Sequence, residues 1–389
     1  MQNVKTSVPN KLVDDNGNVY GSIRQLAKQI HVQRRRISKS INEQGYFRHN
    51  GVTYSTIGAP FEEINNHGDE TALKIITIEK EREDEQEYQQ FLKVKEVQSM
   101  PFQVYKFKPF SNKKGHRYAV ALFSDAHIEE TVIPESVNFL NEYNIGIAEQ
   151  RIENYFRNLA RCLVRDEVNE LIFASLGDTI SGYIHQELEQ TNQLSPLEAT
   201  LKAQSLIYSG LKYLCENENL SKLKKIRFIG IVGNHSRVSK KMQHNNGYKM
   251  SYEWLMYQNI KKQCELTGLP IDFYIPESEL AVVNTADDKV FIFAHGFQIR
   301  GGTGNICGIY PALNRLCLKY GKVFKQDMVF IGHFHSSVNT PNAIVNGSII
   351  GYNAFALSNG MEAERPCQQY VVYDTMMKGQ LLARQIYCD

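Results

Sequence analysis

The stretch Tyr118-Ala-Val-Ala-Leu-Phe-Ser-Asp-Ala-His127 decides how this chain is read. An apolar run of this length that stops abruptly at two polar residues of metal-ligand type fits a strand buried on both faces, with Asp125 and His127 at its C-terminal tip. The device recurs four times: Glu170-Leu-Ile-Phe-Ala-Ser-Leu-Gly-Asp178, Ile226-Arg-Phe-Ile-Gly-Ile-Val-Gly-Asn-His235, Val290-Phe-Ile-Phe-Ala-His295 and Met328-Val-Phe-Ile-Gly-His-Phe-His335. Each run stops at Asp, Asn or His. Ligand sites of open α/β sheets lie outside the carboxyl ends of the strands, so these tips are expected to converge on one crevice.

Helix-compatible segments fall between the strands, at about 148–165, 196–216, 250–266 and 309–320, and strand alternating with helix predicts a layered α/β domain. Upstream, Phe102 to Phe110 alternates apolar and basic residues and is expected to open this domain as an edge strand, with a turn at Ser111 to Gly115. Downstream, 343–357, 370–373 and 381–387 read as strands of a second sheet packed on the first.

The N-terminal part has a different character. Residues 1–16 read as a polar lead-in. Ser22 can cap a helix with Ile23, Leu26, Ala27 and Ile30 at helical spacing, and a second helix over about 34–42 places Ile37 and Ile41 on one face. Asn50-Gly51 between two β-prone triplets signals a tight hairpin. Helix, turn, basic helix and hairpin together describe a winged helix-turn-helix. Over residues 1–55, nine basic side chains stand against Asp14, Asp15 and Glu43. Arg24, Arg34, Arg35, Arg36 and Lys39 are the expected nucleic-acid contacts, with DNA the expected partner. Residues 56–70 read as loop, and the charged run from Leu73 to Gln98 as a solvated helical linker. The expected division is 1–60, 61–100 and 101–389.

With 389 residues, 42% hydrophobic and 22% charged, the composition is that of an ordinary globular protein, and a formal charge of +2 excludes no partner by itself. Seven cysteines, an odd number without any C-x-x-C pair, suit reduced thiols in a cytoplasmic protein. The first residues contain no apolar stretch, and no run approaches eighteen apolar residues, so neither export nor membrane insertion is expected.

In order, the strand tips give Asp125-x-His127, Gly177-Asp178, Gly233-Asn234-His235, His295-Gly296 and Gly332-His333-x-His335. This set, over about residues 117–387, resembles the calcineurin-like metallophosphoesterases, and the arrangement with an N-terminal helix-turn-helix resembles their phage-type members. The resemblance implies a sandwich of two mixed β-sheets flanked by helices. It also implies two divalent cations, one held by Asp125, His127, Asp178 and His335 and the other by Asp178, Asn234, His295 and His333. Two cations about 3.5–4 Å apart repel each other and call for an anionic bridge, a role Asp178 can fill. Mixed oxygen and imidazole ligation suits manganese, iron or zinc better than calcium. His235 is the family's proton donor to the leaving oxygen. An acidic residue often follows that histidine, whereas this chain has Ser236-Arg237, which makes Arg237 a candidate phosphate clamp.

Two loops bear on the substrate: the basic segment Arg237 to Lys249, and Arg300-Gly-Gly-Thr-Gly-Asn305, which lacks the Gly-Lys-Ser/Thr ending of a P-loop. His185 reads as an ordinary surface histidine. The leading expectation is a metal-dependent phosphodiesterase, a nuclease brought to DNA by its N-terminal domain. A phosphomonoesterase or protein phosphatase with a protein-binding N-terminal domain is the second, and a DNA-binding regulator with an inactive core the third. A homodimer is left open.

Overall fold

The computed structural model describes residues 11–56, 84–96, 105–109, 115–241, 243–299, 308–377 and 379–389. The chain divides into two compact units, Met1–Phe110 and Ser111–Asp389.

In the first unit, β1 (Leu12–Asp14), β2 (Val19–Tyr20), β3 (Tyr46–His49) and β4 (Val52–Thr56) form an antiparallel sheet in the order β2-β1-β4-β3. Part of the expected lead-in is therefore a strand. Leu12 is fully buried, and Asp14 folds the chain back by accepting from Asn16 N at 3.0 Å and Asn18 N at 2.8 Å. Helix α1 (Ile23–Gln29) starts where Ser22 Oγ accepts from Gln25 N at 3.2 Å, and α2 (Arg34–Gln44) stops at left-handed Gly45. The β3–β4 turn has Asn50 at φ 50° and Gly51 at φ 83°, both positive as a type I′ hairpin requires. Leu12, Leu26, Ile37, Ile41, Phe47 and Tyr54 make the core. Arg24, Arg34, Arg35, Arg36 and Lys39 are all exposed. A further helix, α3, covers 84–96 with every residue exposed, while the rest of the expected linker, at 73–83 and 97–98, lies outside the described residues.

The second unit contains two mixed sheets. The first, in the order β15-β14-β5-β6-β7-β8, comprises β5 (Arg117–Phe123), β6 (Glu170–Ser175), β7 (Lys225–Gly230), β8 (Ile271–Tyr274), β14 (Cys367–Asp374) and β15 (Gly379–Tyr387). Strands β5 to β8 run parallel and β14 pairs antiparallel to β5. The second sheet, β12-β13-β11-β10-β9, comprises β9 (Leu280–Asn284), β10 (Val290–Ala294), β11 (Met328–Ile331), β12 (Val338–Asn339) and β13 (Ala343–Val345), with β10, β11 and β13 parallel.

The period of two along the strands builds the layers. In β5, Tyr118, Val120 and Leu122 face the second sheet together with Phe291, Phe293 and Phe330. Ala119, Ala121 and Phe123 face the other way, onto α4 (Ile145–Arg165), α6 (Pro196–Glu216) and α7 (Tyr252–Leu266), the short α5 (Leu188–Thr191) lying between α4 and α6 in the chain. Ile152, Tyr155, Phe156, Leu159 and Leu163 line the buried side of α4 at helical spacing, and Ser195 with Glu198 forms a capping box that starts α6. The outer face of the second sheet packs on α8 (Tyr310–Phe324). The order of layers is helices, sheet, sheet, helix.

Three expectations are corrected here. Residues 105–109 form no strand, and Phe107 is 91% exposed, while 102–104 and 110 of the expected edge strand and 111–114 of the expected turn lie outside the described residues. The C-terminal strands β14 and β15 join the first sheet, and the second sheet is built from β9 to β13. Only Ala343–Val345 of the segment 343–357 is strand; the chain then leaves the sheet and ends in α9 (Ala354–Ser358), capped by Asn353 Oδ1 accepting from Ala356 N at 3.0 Å. Six described cysteines carry free thiols, four of them buried.

Candidate metal centre

Strands β5, β6 and β7 are parallel neighbours, as are β10 and β11, so the loops at their carboxyl ends open on one side of the sandwich. These loops are stitched together by their backbones. Asp125 N donates to Gly177 O at 3.1 Å, His127 N to Asp178 O at 3.2 Å, and Gly332 N to His295 O at 2.8 Å. Gly177 and Gly233 permit the close approach, since a Cβ on Gly177 would lie 2.2 Å from Gly233 N and one on Gly233 would lie 2.0 Å from Asp178 Oδ1. Five of the seven candidate ligands adopt left-handed backbone: Asp125 at φ 53°, His127 at 45°, Asp178 at 50°, His333 at 72° and His335 at 51°. Such backbone is disfavoured for side chains other than glycine and asparagine, and it persists only where surrounding structure over-determines it.

The side chains gather into groups that could hold cations. Asp125, His127 and His335 form one, Asp178, His295 and His333 another, and Asp178 with His127 and His235 joins the two. His127 Nε2 lies 3.3 Å from His335 Nε2, which is 3.5 Å from Asp125 Oδ1. His295 Nε2 has three neighbours: Asp178 Oδ2 at 2.8 Å, Asn234 Oδ1 at 3.1 Å and His333 Nδ1 at 3.2 Å. Ligand atoms about 2.1 Å from a shared cation and 90–110° apart stand about 3.0–3.4 Å from one another, and the spacings here match that requirement. The sequence places these seven residues at strand ends; the structure brings all of them into one cluster, with His127, Asp178, Asn234, His333 and His335 lining a crevice and Asp125 and His295 buried behind it.

The outward nitrogens are fixed from behind. His295 Nδ1 faces Leu176 O at 2.6 Å, which leaves Nε2 for the centre. His127 Nδ1 faces Ser181 Oγ at 3.0 Å, and that hydroxyl donates to Glu130 Oε2 at 3.1 Å. His335 Nδ1 is buried without a partner. Asp125 is held by Ser124 Oγ, which Asn346 Nδ2 contacts at 2.8 Å, and by His333 N at 3.1 Å. Asn346 also donates to Gln368 Oε1 at 2.7 Å, anchoring the centre to β14.

The electrostatics follow from proximity. Burial alone would raise Asp178, but His295 and His235 hold it well below the usual carboxylate range. Burial opposes protonation of His295, yet Asp178 and Asp125 push it up to about 9. Burial and the neighbouring His295 take His333 down to about 4. Asp178 and His333 are thus held in the forms that bind a divalent cation, while His295 would release a proton as it binds one.

Two buried glutamates support the site and escaped sequence reasoning. Glu253, in the first turn of α7, accepts Thr179 N at 2.6 Å on one oxygen and Gly233 N at 2.7 Å and Ser236 Oγ at 2.8 Å on the other. It ties the Asp178 loop to the Asn234 loop. Glu129 accepts Ser181 N and Gly182 N, each at 2.9 Å, leaving Oε2 unpartnered. Burial pushes both carboxyls up to about 7. Their only sequence signal is an acidic residue two positions beyond a strand-tip histidine and another at a helix start.

His235 donates its backbone N–H to Asp178 Oδ1 at 2.8 Å, and its Nδ1 faces Ser181 O at 3.1 Å. A carbonyl thus orients this ring. Arg237 lies outside the crevice: its guanidinium donates to Asn234 O at 2.5 Å, Ser239 O at 3.1 Å and Lys240 O at 3.4 Å, all in its own loop. Of the basic segment, His244 pairs with Glu279 at 3.0 Å. His185 sits in the crevice wall, 5.8 Å from the His235 ring. The loop 300–305 lies outside the described residues. The crevice has a volume of about 390 Å³.

No family model and no curated protein matches this chain. Among solved structures, similarity is found to a conserved protein of Streptococcus pneumoniae TIGR4 described as a predicted phosphoesterase, at 12% identity and TM-score 0.26, covering 66% of this chain and 84% of that one. A vacuolar protein sorting protein of Entamoeba histolytica, complexed with zinc, is similar at 12% identity and TM-score 0.27, covering 70% of this chain and 99% of that one. The 5'-nucleotidase of Candida albicans SC5314 is similar at 9% identity and TM-score 0.32, covering 72% of this chain and 54% of that one. The chain's second unit is thus a layered α/β sandwich, two mixed sheets packed face to face between helices, whose strand tips gather Asp125, His127, Asp178, Asn234, His295, His333 and His335 into one candidate metal centre.

Proposed function

We propose that this protein is a phosphoesterase dependent on two divalent cations, manganese foremost, and that it acts on phosphodiesters of DNA. The observation that carries the proposal is the packing of ligand atoms 2.8–3.5 Å apart around two points, with Asp178 at one of them and within 4.8 Å of His127 at the other. Asp125, His127, Asp178 and His335 would hold one cation, and Asp178, Asn234, His295 and His333 the other. Bound there, the cations acidify water and neutralise charge developing at phosphorus.

The chain's own residues supply the rest. His235 Nδ1–H donates to Ser181 O, so Nε2 serves the crevice that the ring lines. Burial keeps this imidazole below its ordinary range even though Asp178 works to raise it. The negative charge of an arriving phosphoester favours the imidazolium, and His235 then gives its proton to the leaving oxygen. The exposed Arg24, Arg34, Arg35, Arg36 and Lys39 support the choice of DNA, since clustered cations bind a phosphate backbone.

The test compares single-stranded DNA, duplex DNA and p-nitrophenyl phosphate with manganese added. DNA cleavage is expected, and removal of residues 1–60 is expected to weaken DNA binding and flatten its salt dependence. Hydrolysis of the small monoester without any DNA cleavage would favour the phosphomonoesterase reading instead.

A further inference from the structure

None of the described residues lining the crevice is a lysine or an arginine. A polynucleotide laid along it would bring a phosphate with every nucleotide, and those beyond the scissile one would meet Glu130 and Glu187 instead of a counter-charge. Away from the metal centre the wall mixes uncharged polar side chains, Thr131, Ser136 and Thr191, with apolar ones, Val132, Leu188, Ile299, Phe355 and Met361. Phe355 lies in the first turn of α9 and is 58% exposed, an aromatic face left to water at the edge of a polar site. Its position is fixed from below, because Asn353 caps α9 and donates to Glu130 Oε1 at 3.0 Å, and Glu130 in turn contacts the Ser181 hydroxyl behind His127.

We propose that this wall is a subsite for one nucleobase, stacked on Phe355, attached to the single phosphate that the metal centre receives. A nucleobase is flat and uncharged, so it neither repels Glu130 and Glu187 nor needs a cation. Its edge carries N–H donors that an exposed carboxylate such as Glu187 can accept. Stacking on an aromatic side chain tolerates any base, because every base offers a π face. The crevice therefore selects an unpaired nucleotide at a strand end and excludes the interior of a duplex. This inference deepens the phosphoesterase reading and rests on it for the placement of the phosphate.

The test uses the full chain loaded with manganese and the fluorescent mononucleotide 2-aminopurine deoxyriboside 5′-phosphate. Binding that quenches the fluorophore and is displaced by inorganic phosphate is expected. Phe355→Ala is expected to weaken binding by about 5- to 150-fold and abolish the quench, whereas Phe355→Trp retains both and Phe355→Leu restores neither fully. Binding with undiminished fluorescence, equal affinity in Phe355→Ala, or displacement by phosphotyrosine in preference to deoxyadenosine 5′-phosphate overturns the subsite. Hydrolysis of thymidine 5′-p-nitrophenyl phosphate is read separately. Quenching without turnover keeps the subsite and sinks the phosphodiesterase reading, while turnover without quenching does the reverse.

Discussion

Replacing Glu253 should uncouple the two halves of the metal centre. Its carboxylate accepts two backbone N–H groups and one hydroxyl from loops that carry Asp178 and Asn234. Hydrogen bonds to a charged acceptor contribute about 1.5–3 kcal/mol each, and buried donors left without a partner cost a similar amount. Part of that gain is already offset by the burial that lifts the carboxyl to about 7. The expected net loss for Glu253→Ala is therefore about 3–5 kcal/mol. Glu253→Gln is the sharper variant. Its amide can accept from Thr179 N or from Gly233 N, but whichever loop meets the NH₂ group faces donor against donor. About half of the loss should remain. Groups behind metal ligands set affinity by about 10–100-fold, so the Asp178–Asn234–His295–His333 cation should weaken by that factor while the Asp125–His127–His335 group is affected less. Urea denaturation of the metal-free protein reads the first quantity, and calorimetric titration with manganese at a temperature where both variants are folded reads the second. Two cations bound by Glu253→Gln with wild-type affinity would refute the idea that this carboxylate sets the spacing of the two loops.

Three other outcomes are expected. Glu129 titrates near 7 in the folded chain against 4.5 unfolded, so the folded state binds the extra proton between those values; the metal-free protein should lose about 1.4 kcal/mol per pH unit from this group as pH rises from 4.5 to 7, and Glu129→Gln should remove that slope in denaturation curves. Gly233→Ala places a methyl 2.0 Å from Asp178 Oδ1 and 2.3 Å from Asp178 N, and should cost about 1–3 kcal/mol or more together with tight metal uptake, measured by elemental analysis; retention of both cations would show that the two loops can part. His235→Asn should lower kcat by about 10²–10⁴-fold and remove one limb of its pH profile, with two cations still bound; turnover near the wild-type rate would strip His235 of the proton-donor role.

The strands that carry the metal ligands were legible because a strand buried on both faces has no polar alternation to disguise it. Tyr118 to Phe123 and Val290 to Ala294 are apolar throughout, and the first polar residue after each marks the sheet edge. Which sheet a strand joins was not legible in the same way. The pairing of Tyr370 with Ala121 spans most of the domain, and nothing local in either strand encodes its partner. Glu253 was hidden for a related reason. An acidic residue after Ser251 is what any helix start favours, and only the folded chain shows that Thr179 and Gly233 meet it. Asn346 and Gln368, which reach Asp125 through Ser124, are ordinary polar residues in the sequence and become part of the site only when β13 and β14 are assembled around it.

The left-handed backbone at Asp125, His127, Asp178, His333 and His335 has a consequence for how this protein would respond to directed evolution. Each of these positions would relax if it became asparagine or glycine, and selection for heat tolerance alone would reward the exchange. A library screened only for survival of the fold should drift first at the very residues that gather the cations.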